Sequence, residues 1–271
     1  MTRLPDLDYV NLLRTEEIHF VINRYGALLA QKDLLEIGSG AGAQLLLLRR
    51  ICSSAVGIEN SIRADRLTDI VPYDGKSIPF PDSSFDVVFS SNVLEHIKDQ
   101  KDIHAEMHRV LRPTGICVHI VPTAAWRLWL SILHYPALVK KIADKLTRSR
   151  NISANVSDGH GGPPAKSASW RERLSYILIQ RPHGELGNWW NEHFLFRVGT
   201  WRKRFETHGW RVEAAEPVGF LVSGHYLLNE RLSWNARRRL AKVFGSACFV
   251  FVLRPAPDFF IELTRPTRTQ G

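Results

Sequence analysis

A glycine-rich turn after a short apolar segment constrains the fold of this 271-residue chain more than any other feature. Residues 34–43 read LLEIGSGAGA, with glycine at positions 38, 40 and 42. Glycine lets the backbone turn sharply out of a strand and approach a ligand closely at the amino end of the following helix. The pattern therefore predicts a strand over 34–38, a nucleotide-binding turn, and a helix over 41–51.

Two kinds of nucleotide site fit this turn. With Ala43, the first two glycines match the G-x-G-x-x-G/A fingerprint of a dinucleotide site, whereas the three glycines alone form a tighter G-x-G-x-G. Glu36, at the strand end, would repel the pyrophosphate of NAD but suits a ligand with an ammonium or sulfonium charge. Glu59, which ends the next predicted strand, can accept both hydroxyls of a ribose in either case.

Short apolar strands alternate with helices after the turn. Strands are predicted over 55–59, 86–91 and 116–121, with a helix over 103–111. Strands that alternate with helices at this interval pair in parallel through right-handed crossovers. The chain is therefore predicted to be an α/β protein with a doubly wound sheet, and its ligand is expected at the carboxyl ends of the strands.

The pattern also predicts how the chain is divided. Regular alternation stops after Pro122, and a Ser-, Gly- and Pro-rich segment follows at 149–169. The predicted regions are an N-terminal helix within 1–32, a ligand-binding core at 33–122, an insertion or cap at 123–197, a completion of the sheet at 198–254 with a second insertion at 219–245, and a tail at 255–271.

The net charge of +9 is unevenly distributed. Residues 1–122 hold 13 Lys and Arg against 16 Asp and Glu, whereas residues 123–271 hold 23 against 11 and contain all eight tryptophans. A basic, tryptophan-rich half can contact an anionic partner, although an ordinary solvated surface explains the charge equally well. The three cysteines form no C-x-x-C pair, so no metal site is predicted.

A family resemblance rests on a further segment beside the glycine turn and Glu59. This segment, residues 74–97, reads DGKSIPFPDSSFDVVFSSNVLEHI. Together with E-x-G-x-G-x-G and the acid that ends the second strand, it resembles the class I S-adenosylmethionine-dependent methyltransferases of the type 11 group. The resemblance covers 34–122 strongly and the final helix-strand-strand unit weakly. It implies a seven-stranded, mostly parallel, Rossmann-like sheet and S-adenosylmethionine as cofactor, which favours the cationic nucleotide over NAD.

The resemblance also implies roles for individual residues. The glycine turn would lie under the methionine moiety, Glu36 would hold its amino group, and Glu59 would bind the ribose. Asp74 with the N–H of Gly75 would face the adenine edge, and the end of the 86–91 strand would line the sulfonium. The predicted cofactor-binding residues are Glu36, Gly38, Ser39, Gly40, Gly42, Glu59, Asn60, Asp74, Gly75, Ser91 and Asn92.

Candidate catalytic residues lie mainly in the basic half. The segment 181–193, RPHGELGNWWNEH, has a composition suited to an acceptor pocket, and an ordinary polar loop is an equally open interpretation. Methylation of a hydroxyl requires a base. His183 and His193 are the first candidates for this base, and His96 is a third, less favoured candidate. Glu95 is expected to support the amino end of a helix rather than to take part in the chemistry.

The acceptor is the least constrained part of the prediction. Residues 126–150 combine aromatic and leucine side chains with six Lys and Arg, so they form either a cap helix over the pocket or a segment that contacts an anionic membrane. We expect O-methylation of a small or lipid-linked acceptor, such as a glycan or isoprenoid, by a cytoplasmic protein that can contact the inner membrane face. No apolar run is long enough to cross a bilayer.

The sequence leaves two other functions open. An RNA methyltransferase would use the basic half to contact phosphates and its tryptophans to stack on bases, although the basic residues are scattered. Nucleic acid is therefore the less favoured partner. An NAD-dependent oxidoreductase of Rossmann type is the alternative from a different enzyme class.

Overall fold

The computed structural model describes residues 5–62, 64–147, 181–222 and 232–257. The predicted Ser-, Gly- and Pro-rich loop at 149–169 lies outside the described residues, as do the middle of the second insertion and most of the predicted tail.

A seven-stranded sheet runs through the described residues in the order β3-β2-β1-β4-β5-β7-β6. Strands β1 to β5 pair in parallel, and β7 is antiparallel to both of its neighbours. This confirms the predicted mostly parallel, doubly wound sheet. The strands are β1 Asp33–Ile37, β2 Ser54–Glu59, β3 Val71–Pro72, β4 Phe85–Ser91, β5 Leu111–Pro122, β6 Trp210–Pro217 and β7 Cys248–Pro255.

Helices cover both faces of this sheet. They are α1 Pro5–Leu29, α2 Ala43–Leu48, α3 Gln100–Val110, α4 Ala124–Thr147, α5 Glu192–Leu195, α6 Val198–Thr207 and α7 Trp234–Phe244, with a 3-10 turn, η1, at Leu94–His96. On one face α1 packs through side chains such as Ile18 and Val21, and on the other α6 packs through Trp201 and Phe205. No helix in the described ranges is both long enough and apolar enough to cross a membrane.

The strand-helix alternation gives way after Pro122 to a long helix, α4, which includes most of the segment where a cap helix was one of the two interpretations. Helix α4 begins two residues later, and the hydroxyl of Thr123 accepts a hydrogen bond from the N–H of Trp126 at 3.0 Å, which caps its first turn. The second insertion likewise contains helix α7, where the hydroxyl of Ser233 accepts from the N–H of Ala236 at 3.3 Å. Both helices are capped by short hydroxyl side chains that the apolar pattern does not reveal.

The parallel strands place three predicted site segments at one edge of the sheet. Strand β1 ends at Ile37, β2 at Glu59 and β4 at Ser91, and β1 lies between the other two. The turn or loop that follows each strand therefore emerges at the same edge, where ligands bind in sheets of this type.

Candidate functional site

The glycine turn that follows β1 has left-handed backbone at all three glycines, with φ of 73°, 56° and 86°. The N–H groups of Gly38 and Ser39 donate to the carbonyl of Ile58 at 2.9 and 3.1 Å, which fixes the turn against β2. A Cβ at Gly38 would overlap the side chain of Val93, whereas a Cβ at Gly40 would meet nothing within 4 Å. The backbone at Gly40 therefore faces an open space that a ligand can approach closely.

Glu36 lies directly behind this turn, on β1. Its side chain is buried, and its Oε2 atom has no hydrogen-bond partner among the described residues. Burial raises the pKa of this carboxyl from 4.5 to about 7. A buried carboxylate without a partner is costly, and a cationic ligand group would remove that cost.

Glu59 connects β2 to the glycine turn. Its Oε2 accepts a hydrogen bond from the N–H of Gly40 at 2.8 Å, and its Oε1 accepts from the N–H of Asn60 at 3.0 Å and from that of Ser61 at 3.3 Å. The structure thus brings together the turn and the acid that the sequence assigned to one nucleotide. A ribose bound by Glu59 would lie beside the open backbone of Gly40.

Asp74 and Gly75 lie in an exposed turn after β3. The Oδ1 atom of Asp74 accepts hydrogen bonds from the N–H groups of Lys76 and Ser77 at 2.8 and 2.9 Å, which lowers the pKa of this carboxyl. The preceding residue, Tyr73, donates its N–H to the carbonyl of Glu59 at 3.0 Å. The turn is therefore next to Glu59, while Asp74 shapes the turn by bonding its own backbone.

Ser91 and Asn92 meet a residue that the sequence analysis missed. The buried Glu17 of α1 accepts hydrogen bonds through Oε2 from the hydroxyl of Ser91 at 3.2 Å and from the side-chain amide of Asn92 at 3.1 Å. Asn92 has left-handed backbone, with φ of 52°. The sequence could have indicated Glu17, because it is an acidic residue among the buried apolar positions of α1, such as Leu13 and Ile18.

Glu95, in the 3-10 turn after β4, is fully buried, and neither of its carboxylate oxygens has a hydrogen-bond partner in the described ranges. Burial raises the pKa of this carboxyl to about 8. Its Oε1 lies 3.7 Å from Nε2 of His96 and 3.9 Å from Nε2 of His183. The structure does not support the predicted role at a helix amino end, because η1 is a single turn of three residues and the carboxylate faces two imidazoles.

A buried ion pair positions His183. Glu192 accepts hydrogen bonds from the N–H groups of His183 and Gly184 at 2.6 and 2.8 Å, and it pairs with Arg127 of α4 at 2.9 Å. The N–H of Glu185 donates to the carbonyl of Glu95 at 2.8 Å. This backbone hydrogen bond attaches the cap segment to η1, just after β4.

The three candidate bases separate into two groups. The rings of His96 and His183 lie 4.9 Å apart between centroids, and Trp126 of α4 packs against His183 at 4.5 Å. His193 instead lies 3.2 Å from the hydroxyl of Ser131, measured from Nε2. Of the predicted histidines, His96 and His183 therefore share a site with Glu95.

Comparison with known proteins agrees with this arrangement. Residues 35–119 match the family described as "Methyltransferase domain". A methyltransferase from Mycobacterium sp. (strain JLS) is 34% identical over 106 residues, which is 36% of this chain and 40% of the relative. A probable S-adenosylmethionine-dependent methyltransferase from Mycolicibacterium smegmatis is 33% identical over 100 residues, covering 34% of this chain and 39% of the relative.

The fold extends further than the sequence similarity. The chain spans about two fifths of the length of these relatives in the matched region. A chain in the solved complex between the Haloferax volcanii Trm112 methyltransferase activator and a methyltransferase has a TM-score of 0.50 at 14% identity, over 93% of this chain and 95% of that chain. That likeness shows the fold, whereas the sequence match is confined to the part that carries the glycine turn, Glu59 and Glu95.

Proposed function

We propose that the chain is a class I S-adenosylmethionine-dependent methyltransferase, with residues 35–119 as its methyltransferase domain, and that it methylates a hydroxyl of a small or lipid-linked acceptor. The observation that carries the choice of methyl donor is the buried carboxylate of Glu36 behind the glycine turn, whose Oε2 atom has no hydrogen-bond partner among the described residues. S-adenosylmethionine has an ammonium and a sulfonium group that suit this carboxylate. NAD would instead bring a pyrophosphate to the same turn, and the two negative charges would repel each other.

The residues at the sheet edge fit the whole methyl donor. In this proposal Glu36 holds the amino group, the open backbone at Gly40 allows close approach of the ligand, and Glu59 accepts the ribose hydroxyls. Asn92 and Ser91, fixed by Glu17, form the wall at the end of β4. When bound, S-adenosylmethionine supplies a methyl group that is activated by the positive charge on its sulfur.

The protein's main task is then to hold the acceptor oxygen in line with that methyl group, which requires a positioned and water-poor pocket. The cap supplies such walls through Trp126 and the 181–187 segment, which the buried pair of Arg127 and Glu192 fixes in place. Methylation of a hydroxyl also requires that its proton be removed. His96 and His183 lie where the cap meets β4 and are the candidates for this role.

An exposed apolar stripe on α4 favours a lipid-linked acceptor. Leu128, Ile132, Tyr135 and Val139 follow one another at helical spacing and are 48%, 49%, 56% and 67% exposed. Their side chains point to solvent, while Trp126 on the same helix packs against His183. The helix thus contacts the candidate site with one part of its surface and presents an apolar stripe to solvent with another.

Basic side chains lie on α7, a helix that contacts α4. The Nε1 atom of Trp129 in α4 donates to the carbonyl of Phe244, which ends α7 and is itself exposed. Helix α7 carries exposed Arg239 and Lys242 near that end. Exposed apolar side chains next to basic ones are typical of surfaces that bind anionic membranes. We therefore include peripheral contact with an anionic bilayer in the proposed function.

A methyl-transfer assay on cell material tests the proposal. The purified chain is incubated with S-adenosylmethionine labelled on its methyl group and with fractionated extract, and the label is followed into lipid, aqueous and nucleic-acid fractions. We expect base-stable label in the lipid or small-molecule fraction, and much less of it with the Glu36→Gln variant at the same concentration of methyl donor. Label that enters RNA would overturn the proposed acceptor class, and a purified chain that binds no methyl donor would overturn the activity.

A further inference from the structure

We propose that Glu95, His96 and His183 bind a divalent transition-metal ion of the Zn²⁺ type beside the methyl-donor site. No metal was predicted from the sequence, because it contains no C-x-x-C pair; His96 and His183 are 87 positions apart in the chain. The fold brings the three residues together. The proposed role of the ion rests on the proposed function, whereas the binding of the ion does not.

The geometry of the three side chains suits a metal ion. One ligand atom from each residue lies within 4.8 Å of the other two, and the carboxylate-to-imidazole distances are 3.7 and 3.9 Å. Ligands of a tetrahedral zinc site lie about 2.0–2.2 Å from the ion, so they stand about 3.3 Å from one another. Small rotations of the two imidazoles, which are 28% and 32% exposed, would close the remaining gap.

The carboxylate provides an independent indication of a ligand. Glu95 is completely buried, and within the described ranges neither of its oxygens has a hydrogen-bond partner. Buried carboxylates are ordinarily paired, hydrogen-bonded or bound to a metal, because an unpaired buried charge is costly. Two histidines and one carboxylate are also the ligand set of several catalytic zinc sites and of non-haem iron sites.

The surrounding structure holds the three residues in place. The carbonyl of Glu95 accepts the N–H of Glu185, which joins the cap to η1, and within the cap Glu192 accepts the N–H of His183 and so fixes the backbone of that residue. A Cβ at Gly184 would overlap the carbonyl of Glu95, so the two chain segments are in direct contact. Such fixed supports are typical of metal sites, where groups behind the ligands orient them.

The position of the cluster gives the ion a use in methyl transfer. Val93, two residues before Glu95, packs against Gly38 of the methyl-donor turn. Three protein ligands leave one position of a tetrahedral ion open to an oxygen from outside. A hydroxyl bound there would be a stronger acid and would lose its proton to solvent more readily, so with the ion bound His96 and His183 would act as ligands and not as the base. The ion would thus both position and acidify the acceptor oxygen.

Titration of the metal-free full-length chain with ZnCl₂ tests the site. The chain is treated with a chelator, the chelator is removed, and binding is followed by calorimetry. We expect one Zn²⁺ per chain with a Kd below about 1 µM. The Glu95→Gln and His183→Ala variants should each bind at least about 10- to 100-fold more weakly. His193→Ala is the matched control, because this cap histidine contacts Ser131 instead, and its zinc affinity should match that of the wild type.

Thermal unfolding shows whether the variants are folded and gives a second readout. Zn²⁺ should raise the unfolding midpoint of the wild type and of His193→Ala, but not that of His183→Ala. The proposal is overturned if the wild type binds no stoichiometric Zn²⁺, or if a folded His183→Ala variant keeps the wild-type affinity.

Calorimetry with S-adenosylhomocysteine in chelator separates this test from that of the proposed function. Binding of the nucleotide without any zinc site overturns the metal site alone. Binding of zinc at these residues without binding of the nucleotide supports the metal site and overturns the methyl-transfer function.

Discussion

The affinity for S-adenosylmethionine should depend on pH through one buried carboxyl, that of Glu36. Burial raises the pKa of this group to about 7, about 2.5 above its ordinary value of 4.5. At 1.36 kcal/mol per pKa unit, ionising Glu36 in the free protein costs about 3 kcal/mol more than in water. The folded protein holds the Glu36 proton more tightly than the unfolded chain does. The resulting contribution to the free energy of unfolding is fully present below pH 4.5 and is lost as the pH rises through about 7.

The ligand reverses this cost, because its ammonium group favours the ionised carboxylate. Below pH 7 the free protein must lose a proton from Glu36 before it can bind in this way, so the affinity should fall as the pH is lowered. Between pH 7 and pH 6 the ionised fraction of Glu36 falls from about one half to about one eleventh, so the expected loss of affinity is about five- to sixfold, and it approaches tenfold per unit only at lower pH. The Glu36→Gln variant cannot ionise at this position, so its weaker affinity should vary little over the same range.

Calorimetric titration with S-adenosylhomocysteine between about pH 5.5 and 7.5 measures the pH dependence of the affinity and the effect of Glu36→Gln. In this range the α-amino group of the ligand keeps its proton. At pH 7.5 the Glu36→Gln variant should bind about 1.5 to 3 kcal/mol more weakly, the usual magnitude for a hydrogen bond to a charged group. A wild-type affinity that is constant over this range would refute the reasoning. So would a Glu36→Gln variant that keeps the wild-type pH dependence.

Three further predictions address other parts of the account. Glu59→Ala should weaken nucleotide binding by about 1.5 to 3 kcal/mol in the same titration, and an unchanged Kd would contradict its ribose role. Gly38→Ala should lower the free energy of unfolding by about 1 to 3 kcal/mol in a denaturant titration, because its Cβ would overlap Val93 and its φ is 73°; wild-type stability would show that the turn can move. Ile132→Asp should reduce co-sedimentation with anionic vesicles while Leu12→Asp, an exposed leucine on α1, should not, and equal effects of the two would contradict a docking surface on α4.

The sheet and the meeting of the glycine turn with Glu59 at one edge could be predicted from the sequence, because both depend on short-range patterns, while the roles of these residues toward the methyl donor stay predictions. The glycine turn, Glu36 and Glu59 lie at or next to the ends of buried strands, and parallel pairing brings those ends to one edge. The structure adds that Glu59 bonds the N–H of Gly40 directly. It leaves the role assigned to Asp74 at the adenine edge as a prediction.

The cap could not be predicted in the same way, because long-range contacts determine it. Helix α4 buries Arg127 against Glu192, 65 positions later, and no local pattern indicates that these two charges pair. Glu17 contacts Asn92 across 75 positions, and His183 reaches Glu95 because backbone hydrogen bonds attach the cap to η1. Apolar periodicity locates helices and strands, but it does not show which polar side chains become buried partners.

The structure of the chain with bound S-adenosylhomocysteine tests the central claim most directly. We expect the amino group of the ligand to lie within hydrogen-bond distance of the carboxylate of Glu36, and the ribose hydroxyls to lie against Glu59. A ligand whose amino acid tail lies away from Glu36 would contradict the claim that this buried carboxylate selects a cationic sulfur nucleotide.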